Sequence, residues 1–276
     1  GTVGLIEHCT RLRLPVAIAT NGTGIAAAAP ALAAAPLYLL QLSIDGPDAT
    51  LHNRLRPSAG SGDNFADLTA ALAAIHAARD HRRLPLIVSL TTISQGNANR
   101  LLEIYDEFRD RVELFVFYLS WWLDEKNAAQ HDQDFHRRFG IAPRHHRAWI
   151  GGWRPEDIPM LDRQLRELQR RARRRHAPPV VILPDVGGGG RLAAYYTDHA
   201  ATFGYCRCVS IFQAVEIDSN GDLSPCRDYR DYIVGNIREQ GIAGLWNSDR
   251  YREFRRSLER DGLMPVCHRC CGLMGF

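Results

Sequence analysis

Lysine is almost missing from this chain: of its 34 basic residues only Lys126 is not an arginine. The bias runs along the whole sequence and is compositional. An excess of charge is missing too, with 34 basic against 31 acidic residues and a formal charge of +3, too small by itself to imply a polyanionic partner. The sequence has no uninterrupted apolar run of the length a membrane-spanning helix needs. Its nearest approach, Ile25 to Leu42, is broken by Pro30 and Pro36. A basic segment followed by an apolar one, the mark of a secretory signal, is also lacking. The opening Gly1-Thr2-Val3-Gly4, without methionine, reads as that of a fragment or a processed chain. What remains is 276 residues, 45% hydrophobic and 24% charged, the composition of a globular enzyme with room for one large and one small domain.

Cysteine is scarce in most of the chain and dense at its end. Cys9 stands alone inside a helical pattern and reads as a packed residue, whereas Cys206, Cys208, Cys226, Cys267, Cys270 and Cys271 all lie beyond residue 205. Clustering of this kind without a secretory signal favours metal ligation over structural disulfides. Val215-Glu216-Ile217 and Leu223-Ser224 flank Asn220-Gly221, a hairpin signal that draws Cys208 and Cys226 together. Cys267-x-x-Cys270 adds two more thiols, completing four soft ligands that suit either zinc or an iron–sulfur cluster.

The first half alternates short apolar strands with helical segments. Strands are expected at Pro15–Thr20, Leu37–Ile44, Leu86–Thr92 and Val112–Leu119, with another at Val180–Leu183. Helices are expected at Gly4–Arg13, Gly24–Ala35, Asn64–His81 and Asn97–Arg109. Continuous apolar strands between helices predict a parallel sheet, an α/β fold. Residues 124–178 are polar and helical, and their arginine run (163, 166, 170, 171, 173, 174, 175) reads as a solvated face, not a nucleic-acid surface. Gly187 to Gly190 lacks the Lys-Ser or Lys-Thr of a phosphate loop and reads as a joint. The expected division is 1–150, a helical connector 151–204, and a cysteine-rich domain 205–276. Trp121 and Trp122, after the fourth strand, are expected in core packing or a lid.

The C-terminal pattern resembles a known family. Cys208, Gly221, Cys226, Val234-Gly235-Asn236-Ile237, Leu245-Trp246-Asn247-Ser248, Phe254-Arg255 and Cys267-x-x-Cys270 are similar, in order, to the auxiliary-cluster (SPASM or twitch) domain of radical S-adenosylmethionine enzymes. Val16–Gly22 is similar to that family's third barrel strand. Gln41–Pro47, followed by His52, Arg54 and Arg56, resembles its fourth strand, and Leu90–Asn97 lies where the fifth ends. The family's Cys-x-x-x-Cys-x-x-Cys loop and Gly-Gly-Glu-Pro motif do not occur in these residues.

The resemblance implies a partial (β/α) barrel lacking its first strands, joined to a small α+β cysteine-rich domain. It implies an auxiliary [4Fe–4S] cluster on Cys208, Cys226, Cys267 and Cys270, with Cys206 and Cys271 left undecided. It also implies S-adenosylmethionine held near Thr20, Asn21, Ser43, Asp45 and Arg56: Ser43 and Asp45 toward the ribose, Arg56 toward the methionine carboxylate. The expected activity is hydrogen abstraction by a 5′-deoxyadenosyl radical from a peptide, protein side chain or small molecule. The enzyme would be a cytoplasmic oxidoreductase or maturase served by a reducing electron donor, with no nucleic-acid or membrane partner. The catalytic cluster would need a loop outside these residues, so the chain alone is expected to be inactive. A zinc- or cluster-stabilised peptide-binding module derived from the same family is the alternative.

Overall fold

The structure is a computed structural model, and it describes residues 1–58, 62–79, 84–151, 153–227 and 230–274. In chain order it runs α1 (Thr2–Arg11), β1 (Ala17–Thr20), α2 (Ile25–Ala34), β2 (Leu39–Ser43), α3 (Ala49–Leu55), α4 (Asn64–Ala78), β3 (Leu86–Thr92), α5 (Leu101–Phe108) and β4 (Leu114–Tyr118). There follow α6 (Glu125–Phe139), α7 (Ile158–Ala172), β5 (Val180–Leu183), α8 (Gly190–Thr197), β6 (Glu216–Ile217), β7 (Asp222–Ser224) and β8 (Gly235–Asn236). The chain closes with α9 (Ile242–Trp246), α10 (Asp249–Asp261) and α11 (Cys271–Met274).

Two compact units form, one from residues 1–119 with 155–182, the other from 120–154 with 183–276. The cut differs from the three-part division of the sequence because α6 belongs with the cysteine-rich end. Phe135 and Phe139 on α6 pack with Tyr232, Phe254 and Met264, a grouping that sequence proximity does not reveal.

In the first unit the strands lie in sequential order, β1-β2-β3-β4-β5, with β1 to β4 paired in parallel. This is the α/β sheet the alternating pattern predicts. Leu40, Leu42, Ile87, Phe115 and Phe117 on the strands are fully buried, as are Ala29, Leu68, Ile75, Ile104 and Phe108 on the helices. Side-chain carboxylates of Asp48 and Asp63 cap α3 and α4 by accepting from the backbone N–H of Leu51 and Ala66. The parallel pairing brings the C-terminal ends of β1, β2 and β3 to one edge, where Thr20, Ser43 and Thr92 end their strands.

The second unit has a three-stranded antiparallel sheet, β6-β7-β8, whose strands are two or three residues long. The predicted hairpin is present: Gly221 adopts φ +92° and its N–H closes on Asp218 O at 2.9 Å. Sheets this short do not stand alone, and the core beneath them is aromatic: Phe135, Tyr232, Tyr251 and Phe254 are buried together with Leu223, Leu245 and Met264. All five tryptophans also lie in this unit, at 121, 122, 149, 153 and 246. Trp121 stacks on Trp149 at 4.0 Å between ring centres, and buried Trp122 donates from Nε1 to Tyr195 O at 2.8 Å. The glycine run is less of a joint than its composition implies, because α8 starts on Gly190. No helix among the described residues is long and apolar enough to cross a membrane.

Candidate functional site

Two regions hold the residues singled out in the sequence. At the strand-end edge of the first unit, Thr20 Oγ1 accepts from Gly22 N (3.2 Å) and Asn21 Oδ1 accepts from Thr23 N (3.2 Å). These two side chains shape the turn that follows β1. Gly22 has φ +95°, and a Cβ there would press on Leu68 Cα at 3.1 Å.

Asp45 is only 6% exposed, and both its carboxylate oxygens are engaged. Oδ1 accepts from Thr92 N at 2.9 Å, tying the end of β2 to the end of β3, and Oδ2 accepts from Arg56 Nε at 2.5 Å. The two residues predicted to contact different parts of a nucleoside cosubstrate are therefore paired with each other. Ser43, half-buried at the end of β2, has no side-chain hydrogen bond among the described residues.

Behind this edge runs a buried polar chain that sequence reasoning only partly saw. Asp45 N donates to His52 Nδ1 (3.3 Å), which makes His52 an acceptor on that side and a donor from Nε2 to Asn64 Oδ1 (3.0 Å). Asn64 Nδ2 in turn donates to Asn21 O at 3.1 Å. Burial above all pushes the His52 pKa down, so the ring is held neutral in the tautomer this chain requires. Asn97 closes the network by donating to Asp45 O and Thr92 O, each at 3.0 Å. Gly46 is required by the close approach of α3: a Cβ there would lie 2.5 Å from His52 N. His52 and Asn97 stand within the matched sequence segments, but Asn64 has no local signal beyond its place next to a helix cap.

The second region gathers the cysteines. Cys267 is buried in the aromatic core, with Cys208 and Cys226 packed against the same cluster. Cys267 lies on a short 3-10 turn, Pro265–Arg269, and Cys270 ends it, its N–H returning to Cys267 O at 3.1 Å. Cys208 precedes another such turn, Ser210–Phe212, eight residues before β6, so it does not sit at the outer strand end that the hairpin pattern implies. Side-chain hydrogen bonds lash this turn in place. Ser210 Oγ donates to Gly272 O (2.9 Å), joining it to the Cys270 segment, and Tyr251 Oη reaches Ile211 O (3.1 Å) and Ala214 O (3.2 Å).

Burial raises the Tyr251 pKa; Arg255 opposes that rise, and the negative character of Cys226 and Cys208 adds to it. Cys208 and Cys226 pack against the same core as Tyr251. Arg269, between Cys267 and Cys270, is 2% exposed and burial lowers its pKa to about 10. It donates to Ala201 O at 2.9 Å and to Asp198 O, fastening the Cys267-x-x-Cys270 turn to the end of α8.

None of Cys9, Cys206, Cys208, Cys226, Cys267 and Cys270 is in a disulfide. Cys206 is exposed and lines, with Cys208, Ile211, Phe212 and Leu263, a cavity of about 420 Å³. The side chain of Cys271 lies outside the described residues. Among the described residues no three His, Cys, Asp or Glu side chains are gathered as a finished metal site. The four predicted cysteines have the donor chemistry of a thiolate centre; Cys208, Cys226 and Cys267 lie at one core, and Cys270 ends the turn that carries Cys267.

Residues 206–271 match the family model of the SPASM domain, described as an iron–sulfur cluster-binding domain. The fold is similar to that in the crystal structure of Streptococcus suis SuiB bound to precursor peptide SuiA, with a TM-score of 0.58 and 16% sequence identity. That alignment covers 97% of this chain and 56% of SuiB, so the chain spans little more than half the length of that protein. A search of curated protein sequences gave no significant match.

Proposed function

We propose that this chain forms part of a radical S-adenosylmethionine enzyme that modifies a peptide, with residues 206–276 holding an auxiliary iron–sulfur cluster and residues 1–119 cradling the cosubstrate. The observation that carries this reading is the ordered cysteine set Cys208, Cys226, Cys267 and Cys270 within a stretch that matches a cluster-binding domain. Its attachment to a parallel α/β sheet with the fold of a peptide-bound protein supports it independently.

In this reading the thiolates of Cys208, Cys226, Cys267 and Cys270 hold a [4Fe–4S] cluster. When bound, such a cluster supplies one-electron chemistry and a soft anchoring site. The chain's own part is to fix the ligand-bearing turns and keep water from the buried sulfur of Cys267. In the first unit Ser43 offers its hydroxyl to the ribose at the end of β2, with Thr20 and Asn21 shaping the adjacent turn. Asp45 is a ribose ligand and Arg56 a carboxylate ligand only when the pair between them opens. Hydrogen abstraction from the substrate requires the Cys-x-x-x-Cys-x-x-Cys loop that these residues do not contain, to be supplied alongside them. A reducing electron donor completes the system.

The test is anaerobic reconstitution of the chain with iron and sulfide, followed by metal and sulfide analysis and a visible spectrum. About four irons and four sulfides per chain, with a broad brown absorbance, is the expected result. One tightly held zinc and no stable chromophore would replace this reading with a zinc-stabilised binding module.

A further inference from the structure

We propose that Arg255 is a positioning residue of the thiolate centre, fixing the turn that carries Cys208 and keeping one buried N–H for the filled site; this rests on the cluster reading above. Arg255 lies one turn after Tyr251 on α10, so both side chains leave the same helix face. Its guanidinium carbon sits 3.9 Å from the Tyr251 ring centre, 4.0 Å from that of Trp246 and 5.5 Å from that of Phe212. Nε donates to Ile211 O at 3.1 Å and Nη1 to Trp246 O at 3.0 Å. Tyr251 reaches the same Ile211 carbonyl, so two side chains hold the backbone three residues beyond Cys208.

Two features exceed what packing requires. No carboxylate pairs with Arg255 among the described residues, although the well-buried arginines Arg79 and Arg138 are paired, with Glu113 and Asp134. Its Nη2 is buried and has no hydrogen-bond partner. An unpaired buried donor on a cation is costly, and so is the uncompensated charge, and both are answered by one anionic acceptor. The acceptors a filled site would supply are the sulfurs of Cys208 and Cys226, anionic once they hold a metal, which pack against the same core as Tyr251, Ile211 and Trp246. A thiolate-bound cluster gathers that negative charge, and hydrogen bonds to its sulfurs set its potential.

The experiment compares the reconstituted full chain with its Arg255→Met, Arg255→Lys and Tyr251→Phe variants. It reads iron and sulfide content, the rate of iron loss to a chelator, and the midpoint potential from an EPR-monitored titration. Arg255→Met should lose iron about tenfold faster and move the midpoint to a more negative value, since a cation stabilises the reduced form. Arg255→Lys should restore the midpoint but not the retention, because an ammonium keeps the charge and loses the planar fork. Wild-type retention and an unchanged midpoint in Arg255→Met would overturn the assignment while leaving the cluster reading intact. Should Arg255→Met fail to fold by circular dichroism, wild-type retention in both Arg255→Lys and Tyr251→Phe would overturn it. A wild-type chain that takes up no cluster would overturn the cluster reading and this assignment together.

Discussion

The strand-end edge of the first unit and the cysteine region of the second are built on opposite plans. At the edge, the motif residues satisfy one another: Asp45 binds Thr92 and Arg56, His52 joins Asp45 to Asn64, and Asn97 bonds two carbonyls. The network is complete without a ligand. In the cysteine region, regular structure is minimal, the strands being two or three residues long, and the four predicted ligands stand on irregular turns fastened by Tyr251, Ser210 and Arg269. A motif can thus mark residues that satisfy one another or residues carried on turns held from outside. On the function proposed above, the second kind would draw part of its stability from the cluster it binds.

The sharpest way to break this contrast is to remove one sulfur. Cys226→Ala in the reconstituted chain should abolish cluster retention, read as loss of nearly all bound iron and sulfide, while the first unit keeps its folding transition. Full iron and sulfide in that variant would show that the cysteine region needs no such ligand. Next in size is Gly46→Ala, which forces a Cβ onto the backbone of α3 and should destabilise the first unit by about 2–3 kcal/mol in urea unfolding. Equal stability would mean the edge is softer than its packing indicates.

Acid should then weaken the second unit through His131. This ring is fully buried, and burial, followed by repulsion from His146, lowers its pKa to about 3. Below the unfolded value near 6.5 the unfolded chain binds the extra proton, so stability is intact at neutral pH and lost as pH falls from 6.5 toward 3. At pH 5 the loss from this one group is about 2 kcal/mol. His131→Phe should flatten the dependence between pH 7 and 5 in denaturant titrations, and an unchanged slope would assign it elsewhere. The smallest effect expected is that of Asn64→Ala, which leaves His52 and Asn21 O without their partner, at about 1–2 kcal/mol. It sharpens the comparison if the loss falls on the first unit's transition only.

Much of the sheet was legible in the sequence because buried parallel strands are continuous apolar runs. The expected β3 and β5 coincide with Leu86–Thr92 and Val180–Leu183, and the others differ by one or two residues at their ends. Helix starts were less legible where side chains compete with the backbone. The helix expected from Asn97 begins at Leu101, because Asn97 turns its amide to Ser94 N, Asp45 O and Thr92 O. The helix expected to reach His81 ends at Ala78, and His81 lies outside the described residues. Short α3 was not foreseen: seven residues with a single buried leucine and a buried histidine carry no helical periodicity.

The site residues were legible as an ordered set of motifs. Their mutual geometry was not. Nothing within eleven positions of sequence says that Arg56 folds back on Asp45, or that an arginine on α10 holds the turn after Cys208. Such pairings depend on which elements the core brings together, and that information is distributed over the apolar residues of both units.

The placement of the tryptophans gives each unit a separate optical identity. With all five indoles in the second unit and none in the first, fluorescence excited at the red edge of the aromatic band reports on the second unit alone. The Trp121–Trp149 stack adds an exciton signal in the near ultraviolet that vanishes when those rings part. Far-ultraviolet dichroism, dominated by helix, follows both units. One sample, watched in two spectral windows, therefore separates the melting of the second unit from that of the first without a label or a truncated variant.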